Sequence, residues 1–362
     1  MKILFYTSIS LILFYSSLSK GEDYAGWTVG ETRDGYGAIY ATTDSGNNWV
    51  RQGSNQIANA KLNGVFAVDP KTAWAVGVVE SGYATIYNTK DGGTTWHRKG
   101  FGQTALQGIS LGKVHVSSSN IWAVDTGVIL HSSDNGDSWT NCLPIEYTNT
   151  LFQGVFSING NIVWVSGSGI GNDGTDFATV LKTTTSGQSW SRQSGGAITN
   201  VDHLLGISAA DTQTLWAVGG GGYIVLRSDN GGDSWILQSQ ESEYGDANEV
   251  YAVDSNTVWV AADNFVQWSN DSGITWSNKN SANYTMGVSA VNKNEAWIAI
   301  SDNIINTGYV WHTSNNGGIW ENQLSTAPPL WTISFAQQAI PESGFYLLIV
   351  VFQLLFINYL RK

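Results

Sequence analysis

The chain has 362 residues, of which 42% are hydrophobic and only 13% are charged, and its formal net charge is −12. Because 17 basic residues stand against 29 acidic ones, the chain lacks the basic surface that nucleic-acid binding requires, and no nucleic-acid partner is expected. Its single cysteine, Cys142, excludes an intrachain disulfide framework and a cysteine-based zinc cluster, while 41 glycines and 17 tryptophans favour a β-rich protein with tight turns.

The N-terminal segment, residues 1–19, has the pattern of a secretory signal peptide. Lys2 precedes an apolar run from Ile3 to Tyr15, and small residues follow up to Ser19. This order predicts cleavage near Ser19 and export of the remaining chain. An uncleaved membrane anchor is the alternative.

An eight-residue box, Ser/Thr-x-Asp-x-Gly-x-x-Trp, recurs along the chain after this segment. Four copies are complete, with the acid and tryptophan at Asp44 and Trp49, Asp91 and Trp96, Asp134 and Trp139, and Asp271 and Trp276. Three copies replace the acid by Thr185, Asn230 or Asn315 and keep the tryptophan as Trp190, Trp235 or Trp320. In the fifth copy, Asp229 and Gly231 also fit the box if one residue is inserted before Trp235.

Two further segments recur between the boxes. A Trp-Ala-Val-Gly-like segment starts at Trp27, Trp74, Trp122, Trp164, Trp216, Trp259 and Trp297. A strand-like segment with Gly-Val or Gly-Ile occurs at Leu62–Val68, Gln153–Ile158, Leu205–Ser208 and Met286–Ser289. The box tryptophans are on average about 45 residues apart, which is the period of a four-stranded β-propeller blade. Seven repeats therefore predict a seven-bladed propeller.

The second repeat shows the four predicted strands: A over Gly64–Val68, B over Ala73–Gly77, C over Thr85–Thr89, and D from Trp96 onward. The first repeat begins at Trp27 and lacks strand A. Leu330–Ala336, after the last box, supplies the missing strand and should close the ring in blade 1. The prediction is an all-β fold, a single, monomeric seven-bladed propeller over residues 20–336.

The C-terminal residues have a second targeting pattern. Residues 337–344 form a predicted linker, and 345–362 contain an apolar run that ends in Arg361 and Lys362. This pattern predicts a hydrophobic membrane helix with its basic end in the cytoplasm. With Pro341 and Glu342 before the apolar run, the tail resembles the Pro-Glu-Pro C-terminal sorting signal of bacterial exosortases, although Ser343 replaces the second proline.

The box resembles the Asp-box, or BNR repeat, of sialidases and sortilin-type receptors. The full repeat is most similar to the photosystem II stability and assembly factor family, on the evidence of Ala73–Gly77 with Thr89–Trp96 and Leu215–Gly219 with Ile224–Trp235. This resemblance covers roughly residues 24–336. It implies a seven-bladed propeller that acts as an assembly or binding scaffold, and it leaves a role in photosystem II assembly as a minority interpretation.

The repeated acids are interpreted as turn residues. Ser/Thr and Asp can accept hydrogen bonds from their own backbone, and the tryptophan can fill the space between sheets. One acid per turn is too few for Ca²⁺, which takes six to eight oxygen ligands. No metal or other cofactor is therefore predicted.

The evidence for catalysis is weak. The five histidines have no metal-binding spacing, and few arginines are available for the carboxylate cluster of a sialidase. We expect a protein that is not an enzyme. The alternative is a glycoside hydrolase with a carboxylate pair at the central channel, because 29 acids allow such a pair.

The loops that join strand B to C and strand D to the next A should share one face, here called the B–C/D–A face; the boxes lie on the opposite, Asp-box face. Variable loops on a rigid scaffold are the usual place for recognition. The candidate ligand residues on this face are Tyr36, Tyr83, Asp173, Phe177, Glu241 and Tyr244. The aromatic residues have an alternative role as caps of the blade edges, and Asn172–Asp176 an alternative role as a solvated turn.

The predicted function is thus an exported or cell-surface binding scaffold whose partner is a protein or a glycan. The predicted C-terminal helix adds contact with a membrane.

Overall fold

The computed structural model describes residues 23–336, apart from 58–59, 171–175, 242–244, 280–283 and 303. The predicted signal peptide, linker and C-terminal helix lie outside these residues, as do Asp173 and Tyr244. Within the part that is described, no helix has the length and hydropathy needed to cross a membrane.

Seven antiparallel sheets form the blades, as predicted. The inner A strands, from blade 1 to blade 7, are β29 (Leu330–Ala336), β4 (Leu62–Ala67), β8 (Lys113–Ser117), β12 (Leu151–Ile158), β17 (His203–Ala209), β21 (Ala247–Ala252) and β25 (Thr285–Ala290). The B strands are β1 (Ala25–Arg33), β5 (Ala73–Glu80), β9 (Asn120–Asp125), β13 (Ile162–Ile170), β18 (Leu215–Gly220), β22 (Val258–Ala262) and β26 (Ala296–Asp302).

The C strands are β2 (Tyr36–Thr42), β6 (Tyr83–Thr89), β10 (Val128–Ser132), β14 (Asp176–Thr183), β19 (Tyr223–Ser228), β23 (Val266–Ser269) and β27 (Thr307–Thr313). The outer D strands are β3 (Val50–Gln52), β7 (His97–Arg98), β11 (Thr140–Asn141), β15 (Ser191–Arg192), β20 (Ser234–Glu241), β24 (Ser277–Asn278) and β28 (Glu321–Ala327). Short 3-10 helices cover Thr104–Leu106, Ile145–Tyr147 and Ala197–Asn200.

Blade 5 departs from the four-stranded prediction. Its outer strand β20 is eight residues long and pairs in parallel with a fifth strand, β16 (Gly195–Gly196). The partner residue Gly196 has a positive φ of 76°, which suits glycine. The extra strand covers part of the outer edge of blade 5. In a blade with a shorter D strand, this edge stays open.

The C-terminal strand closes the ring, as predicted. Strand β29 pairs antiparallel with β1, with Trp27 opposite Ser334 and Thr28 opposite Ile333. The Thr28 hydroxyl also donates to the Thr332 carbonyl oxygen over 2.8 Å. Because β29 belongs to blade 1 and contacts the inner strands of blades 2 and 7, the first and last blades cannot separate without breaking a sheet.

Pairs of tryptophans fill the spaces between blades. Each B-strand tryptophan shares a buried cluster with the box tryptophan of the next blade; the pairs are 27 with 96, 74 with 139, 122 with 190, 164 with 235, 216 with 276, 259 with 320 and 297 with 49. Several pairs meet edge to face, as Trp122 and Trp190 do with ring centroids 6.0 Å apart. These fourteen tryptophans therefore pack between neighbouring blades all the way round the ring.

Candidate functional site

The Asp-box turns satisfy their own polar groups. In blade 2, Thr89 Oγ1 accepts from the Gly93 amide over 2.8 Å and donates to Asp91 Oδ1 over 2.8 Å. Asp91 also accepts from the amide and the hydroxyl of Thr95, over 2.9 and 2.7 Å. Gly93 has φ 86°, and a Cβ there would meet the Gln52 side chain, so only glycine fits.

Hydrogen bonds hold the box acids ionised. Donation from the Thr95 side chain is the main cause that lowers the pKa of Asp91 to about 2, and Ser138 does the same for Asp134, also to about 2. The pKa of Asp271 is lowered chiefly by Thr275. At Asp44 burial opposes the shift, but hydrogen bonds from Asn48 and Thr42 bring the pKa below its usual value.

Copies without the acid keep the same turn. In blade 5, Ser228 Oγ donates to Asn230 Oδ1 over 2.9 Å and accepts from the Gly232 amide, whereas Asp229 pairs with Arg227. Asn230 therefore occupies the box position, which resolves the ambiguity in this copy. No group of three potential metal ligands occurs among the residues described.

Three predicted ligand residues lie on the blade edges. Tyr83 packs against Phe101, with ring centroids 5.0 Å apart, and Phe177 lies under the guanidinium of Arg192 at 4.5 Å. Tyr36 is half-buried at the start of β2. The contacts of Tyr83 and Phe177 support the alternative role as blade caps. The side chain of Glu241, like Asp173 and Tyr244, lies outside what the structure describes.

The central channel opens on the B–C/D–A face through a ring of β-bulges. In six blades the A strand carries one extra residue against strand B near this opening, so that one residue is left out of the ladder. The bulged residues are Trp331, Asn63, Gln153, Leu205, Asn248 and Met286, in blades 1, 2, 4, 5, 6 and 7. All six are half-buried, and all line the same opening of about 280 Å³. Bulges often aim a side chain at a functional site.

We call these six residues the mouth ring. In blade 3, whose strands are described throughout, β8 and β9 pair without a shift in register. Lys113 of this blade also lines the opening, at the position that follows the bulge in the other blades. Apart from Glu249, the positions on either side of the bulges are small or buried residues, but the ring members themselves vary in chemistry.

A salt bridge crosses the channel just below the mouth ring. Lys113 Nζ of blade 3 pairs with Glu249 Oε2 of blade 6, although these blades are not neighbours. The corresponding position in blades 2, 4, 5 and 7 is glycine, at Gly64, Gly154, Gly206 and Gly287. A Cβ on Gly64 would lie 2.8 Å from the Gly112 carbonyl oxygen, so glycine lets the inner strands approach. The salt bridge, here called the crossbar, separates the mouth from the channel below.

Two further charged groups line the mouth, Lys61 and Asp125. Lys61 Nζ lies 2.8 Å from Glu31 Oε1 and 4.2 Å from the centre of the Trp331 ring. Burial raises the pKa of the Asp125 carboxyl group, against hydrogen bonds from Thr126. Both lysines of the mouth are thus paired with acids, whereas Asp125 has no salt-bridge partner among the described residues.

The channel below the crossbar has a volume of about 240 Å³ and a mainly apolar wall. The His115 ring lies between Phe66 and Phe156, with centroids 4.3 and 4.4 Å away. Burial lowers the pKa of His115 to about 3, so its imidazole is neutral at ordinary pH. His115 Nδ1 accepts from the Ser157 amide of the next blade, as Ser208 Oγ accepts from the Ala252 amide.

The sequence pattern predicted recognition by the long loops and did not predict the mouth ring. Its members stand directly before the repeated inner-strand segment, as Asn63 stands before Gly64–Val65 and Met286 before Gly287–Val288. The available signal was a position that varies in chemistry inside an otherwise regular repeat. Its meaning depends on the bulges, and these follow from strand pairing that the sequence does not display.

Comparisons with known proteins agree with this architecture. The family model described as photosynthesis system II assembly factor YCF48 matches residues 54–151. A structure titled "YCF48 bound to D1 peptide" is 16% identical over 83% of this chain and 88% of that chain, with a TM-score of 0.54. YCF48 from Cyanidioschyzon merolae is 17% identical over 73% of this chain and 84% of that chain, with a TM-score of 0.52.

An ancestral GH74 enzyme has a similar fold, with 13% identity and a TM-score of 0.53. The match covers 76% of this chain and 38% of the enzyme. No match was found among curated protein sequences. At these identities, the similar structures establish the propeller fold and not the activity.

Proposed function

We propose that this chain is a non-catalytic binding scaffold that recognises a protein partner on its B–C/D–A face, with the mouth ring as the centre of the site. The observation that carries the proposal is the set of six bulges, which direct side chains of five residue types into one opening. The opposite, Asp-box face repeats one turn whose polar groups are hydrogen-bonded within the turn itself. It therefore offers little chemical variety. A likeness in fold to a YCF48 that binds a D1 peptide supports a protein partner over a glycan.

We further propose that the scaffold works outside the cytoplasm, at the cell surface or anchored to a membrane. The support is in the sequence: the signal-like residues 1–19 and the apolar run before Arg361 and Lys362. Mass spectrometry of the mature protein and fractionation of the producing cells test this proposal. A mature N-terminus at Met1 in a cytoplasmic fraction would contradict it.

Site-specific crosslinking tests the binding face. A photo-reactive phenylalanine replaces Gln153 in the mouth ring or Ile274, which is 81% exposed on the Asp-box face, and the cells are irradiated. We expect a discrete protein adduct from position 153 that is lost when Trp331 is also changed to Ser, and none from position 274. Equal adducts from both positions, or none from position 153, would reject the proposal. A photosystem II subunit in the adduct would support the narrower role in photosystem assembly.

A glycoside hydrolase is the second candidate because the mouth holds Asp125, whose carboxyl pKa is raised by burial, as a general acid requires. A second carboxylate, Glu249, lies just below but is bound to Lys113 in the crossbar. Release of reducing ends from soluble polysaccharides, abolished by Asp125→Asn, would establish the enzyme. We expect no such release.

A further inference from the structure

The mouth ring has a polar arc and a largely apolar arc. The polar arc consists of Asn63 of blade 2 and Gln153 of blade 4, and Lys113 of blade 3 lies between them, one position further along the inner strand. The remaining four blades contribute Leu205, Asn248, Met286 and Trp331. Within this second arc, the Asn248 side-chain amide donates its two hydrogens to the Asp263 carboxylate and the Thr285 carbonyl oxygen. Its amide nitrogen therefore has no hydrogen left to donate to a ligand.

The polar arc retains hydrogen-bonding capacity. Asn63 Nδ2 donates one hydrogen to the Leu111 carbonyl oxygen over 3.0 Å, which leaves its Oδ1 and its second amide hydrogen available. The Gln153 amide has no hydrogen-bond partner among the described residues. Side-chain amides both donate and accept, and this matches the N–H and C=O groups of a peptide main chain.

Both lysines of the mouth are already paired from within, Lys61 with Glu31 and Lys113 with Glu249. An anionic ligand group would have to displace one of these acids and leave it unpaired in a partly buried place. A cationic group would meet Asp125, where burial disfavours the ionised carboxylate. An uncharged ligand binds without this cost.

The size and floor of the mouth restrict the ligand to a narrow one. Its volume of about 280 Å³ is slightly below the range of roughly 300–1,000 Å³ that is usual for drug-sized ligands. The crossbar spans the channel just below the mouth. An extended chain can lay one side chain into such a mouth, whereas a folded surface cannot enter.

We propose that the mouth ring takes an uncharged, extended polypeptide segment, with one apolar side chain on Leu205, Met286 and Trp331 and its main chain along Asn63 and Gln153. The inference rests on the proposed function and adds the chemistry of the partner. A sugar fits less well, because Lys61 occupies one face of the Trp331 ring, on which a sugar would stack.

Fluorescence anisotropy with the full-length chain in mild detergent tests this inference. The probes are capped, labelled heptapeptides of sequence Gly-Ser-Asn-X-Asn-Ser-Gly in which X is Leu, Ser, Lys or Asp. We expect the Leu peptide to bind at least about tenfold more tightly than the Ser, Lys and Asp peptides, because it buries an apolar side chain. Its affinity should change less than about twofold between low and high salt, since no charged pair forms with the ligand.

Substitutions of Met286 test whether the apolar arc binds the Leu side chain of the peptide. Met286→Ser should reduce the preference for Leu over Ser to about twofold or less, and Met286→Leu should retain it. The matched control is Ile319→Ser on the Asp-box face, where the side chain is 63% exposed, and it should leave both affinities unchanged. A melting curve for each variant verifies that the propeller is folded.

The outcomes separate this inference from the proposed function. Equal affinity for the Leu and Ser peptides, or affinity that falls steeply with salt, overturns the proposal that Leu205, Met286 and Trp331 bind an apolar side chain. Either result is compatible with a protein-binding scaffold. Binding to none of the peptides, together with an adduct from position 153, likewise overturns only the inference. Binding of glycan-array sugars but no peptide, with no protein adduct, overturns both.

Discussion

The two faces of the propeller use the same repeat in opposite ways. On the Asp-box face, Ser132 with Asp134 forms the same hydrogen-bonded turn as Ser228 with Asn230, although the acid is replaced. On the B–C/D–A face, the bulges of six blades hold five different residue types, and only asparagine occurs twice. The turn therefore preserves a geometry that several residues can make, while the bulge preserves a position and varies its chemistry.

This contrast separates residues that hold blades together from residues that can meet a ligand. The box groups are engaged within their own turns, and the tryptophans that follow them pack between neighbouring blades. The mouth-ring side chains are half-buried, and several retain unused polar or apolar surface. Repetition within one chain thus identifies the scaffold, and departure from repetition identifies the candidate site.

The largest expected effect is on the free energy of unfolding, when a tryptophan of the inter-blade core, rather than one of the mouth ring, is replaced by alanine. Trp297 is fully buried where blades 7 and 1 meet, stacks on Phe335 at 3.8 Å and donates to Gln323 Oε1. Trp297→Ala should lower the free energy of unfolding by about 3–5 kcal/mol. Trp331→Ala in the mouth ring should cost about 1–2 kcal/mol, because its side chain is only half-buried, and should weaken peptide binding.

Chemical denaturation of the wild type and both variants, followed by tryptophan fluorescence, measures this difference. Equal losses of stability, or a Trp331→Ala protein that binds the Leu peptide normally, would contradict the division between scaffold and site.

The next effect concerns the crossbar. Glu249→Gln removes the partner of Lys113 in a place where the two side chains are only 18% and 22% exposed. We expect a loss of about 1–3 kcal/mol, reduced by that exposure from the value for a fully buried pair. The double variant Lys113→Met with Glu249→Gln should recover most of it, since no unpaired charge remains. A thermal melt that is the same for wild type and Glu249→Gln would show that the crossbar is not stabilising.

The sequence predicted the ring well because its signals are local and repeated. The box, the Trp27-type segment and the missing first strand were sufficient for seven blades and for closure by Leu330–Ala336. The strand ends differ from the prediction by a few residues, as β6 begins at Tyr83 rather than Thr85 and β4 ends at Ala67 rather than Val68. The fifth strand of blade 5 was not predicted, because a two-residue pairing through Gly195 and Gly196 has no sequence pattern of its own.

The site was harder to predict than the fold. Tyr83 and Phe177 were chosen for their residue type, but Phe101 and Arg192 cover their rings, and those contacts depend on where the outer strand brings the chain. The crossbar joins residues 136 positions apart, and only the closed ring brings them together. A pattern can assign a residue to a face, but the neighbours that cover it are set by tertiary packing.

A smaller effect tests the box acids through pH. The pKa values of Asp91 and Asp134, about 2 in the folded chain, lie below the usual aspartate value of 3.8. Their stabilising contribution is therefore complete above about pH 4 and is lost as the pH falls toward 2. The double variant Asp91→Asn with Asp134→Asn keeps a residue type that already occupies two boxes, and its melting temperature should fall less steeply over this range. Parallel acid profiles for wild type and variant would assign the acid sensitivity to other groups.

Removal of metal ions should leave the melting temperature unchanged. The Asp44 Oδ1 atom accepts from Thr42 and from the Asn48 amide, and Oδ2 accepts from the Asn48 side chain, so the carboxylate already has close protein donors. One carboxylate per turn also falls far short of the six to eight oxygens that Ca²⁺ takes. Neither EDTA nor added Ca²⁺ should shift the melting temperature, whereas a rise of several degrees with Ca²⁺ would mean that the box turns bind metal and that the Asp-box face has a function of its own.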